Sequence, residues 1–248
     1  MAVSRRPAAG GGTVVEIPPE RLAGWLTRFG GRNAGLQAID GGPDVITVTA
    51  GDGTRAELAV PFPPLAAPLT PLEQLTDEAP EPVEALLHHL RGLGALGVVL
   101  VRGGAFSIGV VRDGVVLSSS TDRTYLQGRT AAGGWSQQRF ARRRGNQRSA
   151  GQESAAAVTA RILLPVRSTL SGLVTGGDRE SVAAVLADAR LRPLDGLPRR
   201  DFPDLPEPRR VVLDTVAARA LAVEITVRPP GSGGAVRPGP HRGSTPSG

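Results

Sequence analysis

The 248-residue chain has no cysteine and no lysine, and only three histidines, two tryptophans, one tyrosine and one methionine. Without cysteine there are no disulfides, thiolate nucleophiles, zinc knuckles or iron–sulfur ligands, and the cytoplasm is the expected compartment. The histidines are His88, His89 and His241. Neighbours on a helix point about 100° apart, so His88 and His89 do not readily chelate one ion, and His241 lies in a Pro/Gly/Ser tail. A metal triad and a Ser-His-Asp relay are therefore both poorly supplied. No metal and no cofactor is expected. Long apolar runs are also missing. The longest, such as Leu96 to Val101, are strand-sized and far below the roughly 20 residues of a membrane-spanning helix. Met1 to Gly12 has no apolar signal-peptide core, so no membrane partner is expected.

The chain does have arginine. All 29 basic residues are Arg, set against 23 acids for a net charge of +6. The excess is localised. Residues 121–148 contain seven Arg and one acid, Asp122, and the remainder is neutral. The same stretch holds three of the eight aromatics, Tyr125, Trp135 and Phe140. Concentrated basic charge interleaved with aromatics is the footprint of a phosphate-rich partner, although a solvated charged face has the same composition.

Proline and glycine divide the chain. Residues 1–12 read as a disordered N-terminus, 13–60 as a small α+β accessory module, 61–81 as a Pro-rich linker, 82–228 as a second, larger domain and 229–248 as a disordered basic tail. In the first module Leu22, Trp25, Leu26 and Phe29 share a helix face, and three alternating stretches follow, separated by Gly41-Gly42 and Asp52-Gly53. The second module opens with a helix (Val83, Leu86, Leu87, Leu90). Three strands broken by Gly103-Gly104 and Asp113-Gly114 come next, which predicts an antiparallel meander. A basic Gly-rich loop over 122–148 leads to a helix that Ser149 and Gln152 are expected to cap. Then follow a strand at Leu170 to Thr175, a helix after Asp178, a surface loop over Pro193 to Pro208, a helix near Val211 to Ala218, and a last strand at Leu221 to Val227 assigned to the same sheet. The expected class is α/β (α+β): a mixed sheet with packed helices, plus the small N-terminal module.

The chemistry is expected in Gly133-Gly134-Trp135-Ser136-Gln137-Gln138-Arg139, running through Arg142-Arg143-Arg144 and Arg148 to Ser149-Ala150-Gly151. Glycine lets backbone approach a crowded centre. Glutamine is no base, yet its amide orients water and donates to an oxyanion. A flexible RNA-binding loop has much the same spacing, and a Walker A loop is excluded because no Gly-Lys-Ser/Thr follows.

The stretch Tyr125 to Gly151 resembles the catalytic segment of the actinobacterial peptidyl-tRNA hydrolase family. That family is related to the eukaryotic factors that release stalled nascent chains, and more distantly to the middle domain of eukaryotic and archaeal class I release factors. The resemblance rests on Gly134-Trp135-Ser136-Gln137, a Gly-x-x-Gln, and on Ser149-Ala150-Gly151, whose spacing selects Gln137 over Gln138 as the glutamine of the motif. Release factors use Gly-Gly-Gln, whereas here Trp135 and Ser136 stand between the glycine pair and Gln137.

The resemblance implies an RNase H-like fold and hydrolysis of the ester joining a nascent peptide to tRNA. Gln137 is the principal catalytic residue, with Gln138, Gly134 and Ser136 beside it. Arg129, Arg139, Arg142, Arg143, Arg144, Arg148 and Trp135 would hold RNA. The implied partners are peptidyl-tRNA and the rRNA of the large ribosomal subunit, approached by a monomer. Two other readings stay open: an endonuclease that clips the tRNA 3′ end, and a non-catalytic ribosome-binding factor.

Overall fold

The computed structural model describes residues 5–65, 81–123 and 136–231, with side chains for all of these except Glu81 and 136–148. The elements in chain order are β1 (Arg5–Pro7), β2 (Thr13–Ile17), α1 (Leu22–Arg32), β3 (Leu36–Gly41), β4 (Val45–Ala50), β5 (Arg55–Ala59), α2 (Glu81–Gly92), β6 (Ala95–Arg102), β7 (Ala105–Arg112), β8 (Val115–Arg123), α3 (Ser136–Leu163), β9 (Leu170–Gly177), α4 (Arg179–Leu186), β10 (Arg199–Phe202), α5 (Arg210–Arg219) and β11 (Val223–Arg228). They form two sheets, so the mixed α+β class expected from the sequence is the one adopted. Among the described residues no helix is long and apolar enough to cross a membrane.

The first sheet, ordered β1-β2-β11-β5-β4-β3, is antiparallel throughout. Alternation along β4 buries Ile46, Val48 and Ala50 against α1 and α2, whose Leu22, Leu26, Phe29, Val83, Leu86 and Leu90 complete the core. The second sheet runs β10-β9-β6-β7-β8. Here β6, β7 and β8 form the antiparallel meander, and β9 and β10 lie parallel to β6. Both hairpins turn through two left-handed residues, Gly103 (φ 58°) with Gly104 (φ 87°) and Asp113 (φ 51°) with Gly114 (φ 75°). Strand β6 is apolar almost end to end because both its faces are covered. Val99 and Val101 meet the α3–α4 layer, while Leu96, Val98 and Leu100 meet α5.

Several features differ from the sequence expectation. Strand β11 does not extend the second sheet; it inserts between β2 and β5 of the first, with Ile225 opposite both Val15 and Leu58. Helix α2, assigned to the second module, packs in the first core. The two modules are thus not consecutive in sequence: the first sheet is completed by Val223–Arg228, which follows the whole second sheet. Arg5–Pro7, expected to be disordered, pairs with Thr13–Ile17.

The described part of the proline-rich stretch, 61–65, packs as core. Phe62 and Leu65 are buried, and His89 Nε2 donates to the Pro61 carbonyl at 3.0 Å. The rest of that stretch, 66–80, and the tail from 232 lie outside the described residues. The Pro193 to Pro208 segment is not only loop. It contains β10 and buries Leu194, Leu197, Phe202 and Leu205. Prolines at 198 and 203 bracket the strand, and β10 lies at the sheet edge, where proline is tolerated.

A candidate functional site at the start of helix α3

Strands β6, β8, β9 and β10 point the same way, so their C-terminal ends share one edge of the second sheet. The chain leaves that edge at Arg123 and re-enters the described structure at Ser136, the first residue of α3. A helix of 28 residues runs about 42 Å, against about 26 Å for an eight-residue strand. Its far end is pinned, since the 3₁₀ turn Leu164–Thr169 leads directly into β9. The surplus of about 16 Å therefore falls in the N-terminal, basic half.

This corrects one expectation. Positions 136–148 are helical rather than loop, and Ser149 lies inside α3 instead of capping it. The segment lacks an apolar face, yet Arg, Gln and Ala are strong helix formers and no proline interrupts 136–163. Intrinsic propensity outweighs the missing periodicity. From Gly151 onward the helix is anchored: Ala155, Ala156 and Leu163 are buried, and the buried Thr159 hydroxyl donates to the Ala155 carbonyl at 2.7 Å.

The sequence-predicted residues fall into two groups. Ser136, Gln137, Gln138, Arg139, Arg142, Arg143, Arg144 and Arg148 are brought onto one continuous helix backbone. Arg129, Gly134 and Trp135, with Tyr125, lie outside the described residues. Around the point of departure the charges are paired. Glu207 holds Arg123 at 3.4 Å and Arg209 at 3.6 Å. Arg210 bonds Asp214 at 2.9 Å and reaches the Ser119 hydroxyl at 3.3 Å. Glu153 is exposed on α3, within range of the Arg190 charge. Arg190 is itself held by Asp188 through two guanidinium bonds and a backbone one, and these bring the Asp188 carboxyl down to about 2. Among the described residues no cluster of His, Asp or Glu has metal-site geometry.

A second polar locus has no counterpart in any sequence motif. A cavity of about 380 Å³ opens between the sheets, lined by Arg6, Glu16, Arg200, Phe202, Arg219 and Glu224 among others. Its ions are mostly paired with one another. Arg219 makes a bidentate pair with Glu16, both bonds 2.8 Å, and Arg6 reaches Glu224 at 2.7 Å. Arg200 donates to the Ala220 and Ala222 carbonyls, and both Arg200 and Arg219 lie over the Phe202 ring, at 5.2 and 4.9 Å. Burial works against the Glu16 carboxylate, but the Arg219 hydrogen bond and the charges of Arg219, Arg200 and Arg6 outweigh it, leaving the carboxyl below its ordinary range. Burial likewise pulls the Arg200 guanidinium below its usual value. The locus ties β2 to α5 and β10. It involves residues some 200 positions apart, which no local pattern joins.

An α+β unit with a basic helix rising from the strand ends is the setting in which the comparisons fall. Residues 94–226 match the family described as Actinobacteria/chloroflexi VLRF1 release factor. The match spans more than half of the chain, which therefore belongs to this release-factor family. It starts after α2, leaving most of the first sheet outside. Two archaeal structures are similar at low level. The translation termination factor aRF1 shares 14% identity over 70% of this chain and 51% of its own, with a TM-score of 0.30. A second archaeal protein shares 13% over 69% and 52%, with a TM-score of 0.27. The chain spans about half the length of each. No curated protein matches it.

Proposed function

We propose that the protein is a ribosome-associated peptidyl-tRNA hydrolase, working in the cytoplasm as a monomer to release stalled nascent chains on the large ribosomal subunit. One observation carries the reading: the region matched to the release-factor family contains the Gly-x-x-Gln segment. The second sheet's order, with an antiparallel meander followed by two parallel strands, agrees with the RNase H-like arrangement that the resemblance implies. In this reading residues 94–222 form the release-factor-like domain, and the first sheet with β11 is the accessory module.

The mechanism rests on positioning. The arginines along the first half of α3 neutralise RNA phosphates, and the aromatics near them stack on bases. The helix start carries Gln137 to the ester. There its amide orients a water against the carbonyl carbon and donates to the oxyanion that develops on the carbonyl oxygen. Ser136, Gln138 and Gly134 shape the backbone around it. Glutamine has no basic group at neutral pH, so the proton lost by the water passes to the ribosomal surroundings or to the departing ribose oxygen.

The test is release from stalled large subunits by wild type and Gln137→Ala. Loss of one positioned donor costs on the order of 10²–10³ in rate, with binding retained. Unchanged release sinks the assignment, and a shortened tRNA product, in place of intact deacylated tRNA, makes the activity an endonuclease.

A further inference from the structure

Helix α1 lies outside the residues matched to the release-factor family, and its outer face carries a feature that packing does not account for. Its inner face is spent on the core through Leu22, Leu26, Phe29 and Gly30. At 3.6 residues per turn, Arg28 and Arg32 stand about 40° apart around the helix, and Arg21, which ends the 3₁₀ turn Pro19–Arg21 and caps the helix start, continues the same line to a length of about 16 Å. All three are exposed, and none has an ion pair or a side-chain hydrogen bond among the described residues. The helix itself, Leu22–Arg32, contains no acid, and Glu20 precedes it.

The flanks of this line are equally specific. On one side, about 40° away, stands Trp25, half-buried, with its ring stacked on Phe29 at 5.2 Å. On the other side are Gly24 and Gly31, about 60–80° away. A Cβ at Gly31 would meet nothing within 4 Å, and one at Gly24 would meet only the tip of Arg28. Neither glycine is needed by the fold, and glycine is the weakest helix former after proline. Gly30, by contrast, is closely packed: its Cβ would lie 3.1 Å from the Leu36 side chain, which would have to give by a few tenths of an ångström.

We infer that this face is a docking surface for a phosphate backbone: ribosomal RNA of the large subunit. Three guanidiniums in line match the charge of one strand, the bare glycine flank lets that strand approach the helix closely, and Trp25 offers an apolar edge to a sugar or base. The inference rests on the function proposed above. That reading puts the tRNA 3′ end at α3 on the second sheet, whereas α1 packs on the first, so the occupant of α1 is the surrounding RNA. The protein would then be held at two points, and α3 alone would carry the chemistry.

The experiment measures binding of the full chain to large ribosomal subunits across a salt series, for wild type, R21A/R28A/R32A and R21K/R28K/R32K. Alanine is a better helix former than arginine, so the helix persists, and melting curves verify it. The alanine variant is expected to lower the log–log salt slope by about 2–3, at roughly 0.7–0.9 for each phosphate no longer neutralised. Release should show a raised KM with kcat unchanged, and the lysine variant should keep the slope. Equal binding by wild type and alanine variant overturns the inference and leaves the proposed function standing. A lysine variant as weak as the alanine one overturns the charge argument. Loss of affinity for free deacylated tRNA by the same factor makes tRNA the occupant and likewise overturns it. Failure of the wild type to bind subunits overturns the proposed function itself.

Discussion

Replacing Glu16 by glutamine keeps the size and shape of the side chain and removes the charge that Arg219 embraces. The pair joins β2 to α5 by two 2.8 Å bonds, with side-chain exposures of only 27% for Arg219 and 16% for Glu16. A charge-assisted bidentate bond is worth about twice a neutral one, and unpairing a half-buried guanidinium adds desolvation, so the loss should be about 2–3 kcal/mol. For a chain of this length each kcal/mol moves the Tm by about 2–4 °C, giving a drop of about 4–12 °C. Arg219→Ala should cost at least as much, since it also uncovers Phe202, and the double variant should show coupling between the two.

The difference depends on pH with a definite sign. The Glu16 carboxyl titrates below its ordinary value of 4.5 in the folded state. Its contribution is therefore complete above about 4.5 and is lost as pH falls through the lower folded value. Thermal melts of wild type and Glu16→Gln at pH 7 should lie apart, and the gap should close on acidification below about pH 4.5. A gap under about 1 °C at pH 7, or one that widens in acid, refutes the reasoning.

Two further expectations concern glycines. A Cβ at Gly172 would overlap the buried Phe62 ring, so Gly172→Ala should destabilise by about 1–3 kcal/mol in denaturant titration. Phe62→Leu in the same chain should recover part of that loss. Gly31→Ala meets open space on a helical backbone and should stabilise by about 1 kcal/mol, read as a higher melting temperature.

Local signals carry far in this chain. Gly103-Gly104 and Asp113-Gly114 mark hairpins because their left-handed backbones demand such residues, and the alternation of Val45 to Thr49 declares which side is buried. Asp178 announces α4 as its N-cap, accepting from the Ser181 amide. What stays hidden is non-local or unpatterned. Val223–Arg228 reads as a strand in any sheet, and only assembly with β2 and β5 decides its partners. Strand β10 is masked by flanking prolines. The first half of α3 has the residues of a helix without the stripe that usually reveals one, and so reads as loop. At the candidate site the residue types are legible, and their common helix is not. The Glu16–Arg219 seam is invisible, because half-buried ions more than 200 positions apart leave no trace in spacing.

The place of β11 has a consequence for the birth of the protein. Synthesis runs from the N-terminal side, so β2 and β5 cannot be joined until residues 223–228 have left the exit tunnel. Until then the nascent chain presents two open strand borders, each able to pair with a neighbour. The second sheet has no such wait, since β6 to β10 all precede that strand. It is free to form first, and the sheet begun earliest is completed last.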